Sequence, residues 1–136
     1  MQTELTKKMV DSWLKDVSAV LGVCLELNKE GICTFQVGEN IIAIEVAIDI
    51  PQVYIYSTLC HLPVDDEKHK MILLSKALEL NAFQMHTHGG AIAMVPGGEL
   101  LIYCCSVSVV GMDSEKFSGI LGTFFDVLPE LKAHLV

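Results

Sequence analysis

The chain has 136 residues, of which 51% are hydrophobic, and a mean hydropathy of +0.47. It is long enough for one buried core and too apolar to be disordered. Nine lysines stand against 17 acids for a net charge of −8, and there is no arginine, so nucleic acid and anionic membrane are excluded as partners.

The first element is a helix. Leu5, Met9, Trp13, Val17 and Val20 recur at three- and four-residue spacing, with Val10 and Leu14 beside them. Thr3 stands where a cap belongs and Gly22 where a helix ends, so residues 4–21 are predicted helical. Four strand-like runs follow. Residues 23–27 alternate, the turn Asn28–Gly31 intervenes, and 32–37 is rich in β-formers. After Gly38-Glu39-Asn40, residues 41–48 put Ile42, Ile44, Val46 and Ile48 on one face. Pro51 breaks that run, and 53–59 is again β-branched and aromatic. Such short turns mean antiparallel hairpins.

Asp66 is the expected cap of a second helix over 67–81, with an apolar stripe of Met71, Leu74 and Leu78 continued by Leu80 or Ala82. A second hairpin joins 91–95 to 100–109 through Pro96-Gly97-Gly98-Glu99 and is apolar on both faces. Asp113 caps the last helix, traced by Phe117, Ile120, Leu121, Phe124, Leu128, Leu131 and Leu135. Pro129 is expected to kink that helix or split off its last turn. The fold class is α+β: an antiparallel sheet with helices packed against it, in the order α-β-β-β-β-α-β-β-α, as a single domain over 1–136.

The chemistry-bearing residues make no constellation. His86-Thr87-His88 puts two imidazoles on one side of an extended segment, but no third ligand stands at metal spacing, so no metal is expected. Cys60 and His61 are neighbours on a strand and point apart, as do Cys104 and Cys105. Five cysteines, an odd number without zinc spacing, read as small apolar residues of a reduced compartment. Gly89-Gly90 and Gly97-Gly98 flank a hairpin and form no phosphate loop. No apolar segment follows Lys7 and Lys8 as a secretory leader requires. The longest uncharged run, Leu100–Met112, holds 13 residues, short of the roughly 18 of a membrane span. No catalytic residue or cofactor is expected. What remains is surplus apolar surface, which points to a binding module with a protein partner.

The order of elements resembles the class I type III secretion chaperones. The most specific stretch is Leu73-Leu74-Ser75-Lys76-Ala77-Leu78-Glu79-Leu80-Asn81, then Gly90-Ala91-Ile92-Ala93-Met94. It is similar to that family's leucine-rich second helix ending in Leu-x-Asn, followed by a Gly-led strand. Gly98–Tyr103, Met112–Phe124 and the Leu25–Thr34 hairpin match its remaining elements, although Ser106–Gly111 replaces a Leu-Pro-like link and Pro129 interrupts its closing helix.

The resemblance implies a cytoplasmic bacterial homodimer that binds the non-globular N-terminal region of one or more secreted effectors. A related chaperone in place of one subunit stays open. It also implies recruitment by the export apparatus and its ATPase. The residues assigned to the client are Trp13, Leu14, Leu25, Leu27, Phe35, Val37, Ile42, Ile44 and Val46. Those assigned to the dimer are Leu74, Leu78, Met94, Leu101, Tyr103 and Cys105. The rival is a small regulatory dimer of the roadblock or YbjN-like kind, which would grip a folded partner.

Overall fold

The computed structural model describes residues 2–135. Eight main elements run in the order α1 (Gln2–Leu21), β1 (Ile32–Val37), β2 (Asn40–Val46), β3 (Gln52–His61), α2 (Glu67–Leu80), β4 (Ala91–Met94), β5 (Leu100–Ser108) and α3 (Ser114–Leu135). The strands form a five-stranded antiparallel sheet in the order β1-β2-β3-β5-β4. The chain gathers into two compact units, Met1–Ile55 with Ser106–Gly122 and Tyr56–Cys105 with Thr123–Val136.

In the first unit, α1 ends where predicted, at Gly22 with φ +73°. Thr3 does not serve as an ordinary cap. Its hydroxyl accepts from the Asp49 N–H at 3.0 Å and so ties the helix start to the turn after β2. β1 and β2 pair with Cys33 opposite Ile44 and Phe35 opposite Ile42, which places these residues on one face. That face is buried with Val10, Trp13, Leu14 and Val17 of α1, and Trp13 lies 5.3 Å from Phe117 of α3, ring centre to ring centre.

The run 23–27 is not a strand, although Leu25 is buried between exposed Cys24 and Glu26, as a strand's alternation would place it. The Leu25 N–H donates to Ser18 Oγ at 2.9 Å and the Leu27 N–H to Asp11 Oδ1 at 2.9 Å. Side chains of α1 thus take the donors that a neighbouring strand would have used. The turn that follows is held by Asn28, whose Oδ1 accepts from the Glu30 and Ile32 N–H groups.

In the second unit, Asp66 caps α2 as predicted, its carboxylate accepting from the His69 N–H at 3.0 Å. The expected stripe of Met71, Leu74 and Leu78 is not the one that packs. Leu73, Ala77 and Leu80 are buried, Leu74 is half-buried, and Met71 and Leu78 face solvent. Two stripes with the same spacing lie side by side on this helix, and spacing alone does not choose between them. Beyond α2, Ala82–Gln84 form a short 3-10 turn with Phe83 at φ +58°. The core is Leu73, Ile92, Leu101, Leu128 and Leu131 around Tyr103, which stacks on Phe124 at 4.6 Å.

Asp113 caps α3 by accepting from the Lys116 N–H at 2.8 Å. The helix continues to Leu135 through Pro129 without splitting. The proline removes one N–H donor, while Leu128, Leu131 and Leu135 on either side of it are buried and hold the last turns in place.

Candidate functional site

The sequence-assigned client residues divide by burial. Trp13, Leu14, Leu25, Ile42, Ile44 and Val46 lie in the core of the first unit, with Ile44 completely enclosed. A client side chain reaches none of them without displacing packing. Leu27, Phe35 and Val37 are half-buried and accessible. The difference is one of facing: the alternating strand pattern is sound, but its buried side belongs to α1 and α3.

The exposed apolar surface of the first unit comes from other residues. Val20 and Leu21 end α1, Val23 follows them, and Ile41 starts β2 on the face opposite Ile42, where it is 60% exposed. Ile48 and Ile50 flank Asp49, which holds a positive φ of 62°. β1 stands at one edge of the sheet. A sheet edge with apolar residues on both faces suits an extended peptide, because an added strand sends its side chains alternately to the two faces.

The opposite edge is treated differently. The Asn81 side chain donates Nδ2–H to the Ile92 carbonyl oxygen at 2.9 Å, and its Oδ1 accepts from the Ile92 N–H at 2.8 Å. Both outward main-chain groups of Ile92 on β4 are thereby engaged from within the chain. The Leu80-Asn81 ending of α2 thus has a physical purpose. One amide side chain imitates a strand partner.

The dimer assignments also divide. Leu101 and Tyr103 are core residues, and Tyr103 donates its hydroxyl to the Thr87 carbonyl oxygen at 2.7 Å. Leu78 and Met94 are exposed, while Leu74 and Cys105 are half-buried. The other face of this hairpin pairs Ala91 with Cys104 and Ala93 with Ile102, all half-buried. With Met71 and Ile72, the exposed Leu78 of α2 and Met94 of β4, two of the six residues assigned to the dimer, give the second unit an apolar surface.

Electrostatics add no reactive centre. Burial pushes the Cys105 thiol up to about 11, with Cys104 adding to it, and the Tyr103 hydroxyl up to about 12. Burial also raises the thiols of Cys33, Cys60 and Cys104. Such thiols stay protonated near neutrality and are poor nucleophiles. Among the described residues no three His, Cys, Asp or Glu side chains are grouped to hold a metal ion. His86 and His134 meet edge to face at 5.5 Å, without a third ligand. Among the described residues no helix is long and apolar enough to cross a membrane.

Fold and surface together define a small α+β protein built to hold another polypeptide. Residues 12–132 match the sequence pattern of the Tir chaperone protein (CesT) family, and the chain belongs to that family, the class I type III secretion chaperones. No curated protein sequence matches it. Among solved structures it is similar to a chain of the ExsC–ExsE complex, with 11% identity, 95% of each chain covered and a TM-score of 0.78. A chain of the heterodimeric ExoU–SpcU complex from the type III secretion system of Pseudomonas aeruginosa gives 19% identity over 94% of this chain and 95% of that one, with a TM-score of 0.67. YbjN from E. coli gives 14% identity over 92% and 87%, with a TM-score of 0.61. At these identities the likeness is one of fold.

Proposed function

We propose that this type III secretion chaperone binds the non-globular N-terminal segment of one or more secreted effectors along its first unit, as a homodimer in the bacterial cytoplasm. The effector adds a strand at the β1 edge. Its side chains rest on Leu27, Phe35 and Val37 on one side and on Ile41 on the other, with Leu21 and Val23 extending the track. The observation that carries this reading is the contrast between the two edges: β4 is closed at Ile92 by Asn81, and β1 ends the sheet among accessible apolar residues. Main-chain pairing tolerates varied clients, and a disordered client needs a long track to offset its ordering entropy.

The homodimer forms through the exposed face of α2 with Leu78, and through the open face of the β4–β5 hairpin. No nucleotide or cofactor enters this function. Delivery to the ATPase of the export apparatus belongs to this proposal, and the family relation supports it. The competing regulatory dimer would grip a folded partner. The fold is shared with YbjN, but the family match favours the chaperone.

Hydrogen exchange with and without an effector N-terminal segment tests the binding track. The reading requires new protection at the amides of residues 32–37 and little change at 91–94. Protection confined to β4, or none at β1, would overturn it.

A further inference from the structure

Antiparallel pairing turns the main-chain groups of successive residues to opposite sides of a strand. β1 and β2 pair with Ile32 opposite Glu45, and in that register the Val46 N–H donates to the Gly31 carbonyl oxygen at 2.9 Å. Cys33, Phe35 and Val37, in step with Gly31, therefore bond toward β2. Ile32, Thr34 and Gln36 turn their N–H and carbonyl groups to the open edge.

These three outward positions are not alike. The Ile32 N–H donates to Asn28 Oδ1 at 3.0 Å, and the Ile32 carbonyl oxygen accepts from the Asn28 N–H at 2.9 Å. Asn28 thus closes the first position of this edge, as Asn81 closes Ile92 on β4. The chain then leaves the edge, since the Leu27 and Leu25 N–H groups go to Asp11 and Ser18 of α1. Among the described residues no hydrogen bond joins residues 23–27 to the main chain of Thr34 or Gln36, and both residues are exposed.

We infer that the client pairs with β1 through the main chain of Thr34 and Gln36, and that this register selects segments in which polar and apolar residues alternate. This rests on the edge binding proposed above and adds its register and the class of client sequence. Client residues opposite Thr34 and Gln36 share their exposed, polar face, where Ile41 beside Gln36 favours a side chain with a methyl as well as a hydroxyl. Client residues opposite Phe35 and Val37 fall on the other face, against the half-buried Leu27, Phe35 and Val37, and are apolar. A slip of one residue exchanges the two faces. A slip toward Ile32 meets groups that Asn28 already holds, so Asn28 is the residue that fixes the register.

Two blocked synthetic peptides of one composition test this, Thr-Val-Thr-Val and Thr-Thr-Val-Val, each flanked by lysines. The alternating peptide is expected to bind about tenfold more tightly, because only its order puts both valines on the apolar side. Amide-resolved hydrogen exchange should show new protection at Thr34 and Gln36. Ile32 is expected to be protected already in the free chain and to stay unchanged. Thr34→Pro removes an outward donor and leaves the β1–β2 ladder whole, so it should fold and bind the alternating peptide about tenfold more weakly. The peptide pair keeps the test decisive if that variant fails to fold. Binding at β1 with new protection at Ile32, with equal affinity for the two peptides, or with full affinity in folded Thr34→Pro refutes the register and leaves edge binding standing. If neither peptide at millimolar concentration protects any amide of β1, both readings are refuted.

Discussion

The Asn81 amide holds both main-chain groups of Ile92, at 2.8 and 2.9 Å, so the first residue beyond α2 acts as the outer neighbour of β4. Ile92 is almost fully buried, and water offers no substitute for a lost partner there. Asn81→Ala is expected to destabilise the chain by about 2–3 kcal/mol, since each buried group left unpaired costs about 1–3 kcal/mol. Asn81→Asp retains the acceptor for the Ile92 N–H and loses the donor, so its cost should be smaller. Urea midpoints of the two variants check the order. Equal and negligible effects would mean that the edge is not closed by this side chain.

Client binding and folding should separate by residue. Ile44→Asp buries a charge in a fully enclosed position and is expected to unfold the protein, a loss of more than about 3 kcal/mol. Ile41→Asp and Val23→Asp lie on exposed positions and should leave the melting temperature nearly unchanged. They should weaken effector binding by about tenfold, each removing about 1–2 kcal/mol of apolar contact. Calorimetric titration with an effector N-terminal segment measures this. Full binding by both surface variants would move the client elsewhere.

Stability should fall in alkali. The unfolded chain ionises Cys105 near pH 9 and Tyr103 near pH 10, while the folded chain holds those protons to about 11 and about 12. A folded state that keeps protons the unfolded state releases loses stability as pH rises. The contribution is therefore intact below pH 9 and declines from pH 9 through about 11 and then about 12. Cys105→Ala should remove the part between pH 9 and 11, read from urea midpoints at stepped pH. In the same range of experiments Cys24, the one exposed thiol among the five, should react with a thiol reagent ahead of the others.

Two glycine substitutions should have opposite signs. A Cβ at Gly90 would stand 2.7 Å from the Cys104 carbonyl oxygen and 2.7 Å from the Tyr103 ring. Gly90→Ala must then push β5 away from the Gly-led strand, and a loss of about 2 kcal/mol or more is expected. Gly119 lies within α3 with nothing near its Cβ position. Gly119→Ala should stabilise the chain by about 0.5–1 kcal/mol through the unfolded state. Thermal melts of both variants suffice.

Much of the fold was legible because its signals are local. Asp66 and Asp113 cap the helices predicted for them, Gly22 ends α1, and Pro51 and the Pro96–Glu99 turn separate the expected strands. The misread segment, 23–27, has a strand's alternation but no strand to pair with, because Asp11 and Ser18 sixteen and seven residues earlier take its N–H groups. No pattern in a single sequence announces such a contact. The site was less legible for a related reason. Periodicity locates a buried face but not which of two apolar faces is buried, so Ile42 and Ile44 were assigned to the client and Ile41 was overlooked. On α2 the same ambiguity exchanged Leu73 and Ala77 for their neighbours, while Leu80 is buried as one of the two expected continuations of the stripe. The leucine-rich ending at Asn81 was recognisable as a pattern, but its role at Ile92 becomes evident only in three dimensions.

The central claim is that this chaperone holds an unstructured effector segment rather than a folded domain. Its most direct test is to recover the tagged protein from its native cytoplasm and identify by mass spectrometry what limited proteolysis leaves bound. The account predicts a protected N-terminal fragment of a secreted protein, at two chaperone chains per client. Recovery of a protected folded domain, or of no client at all, would contradict it.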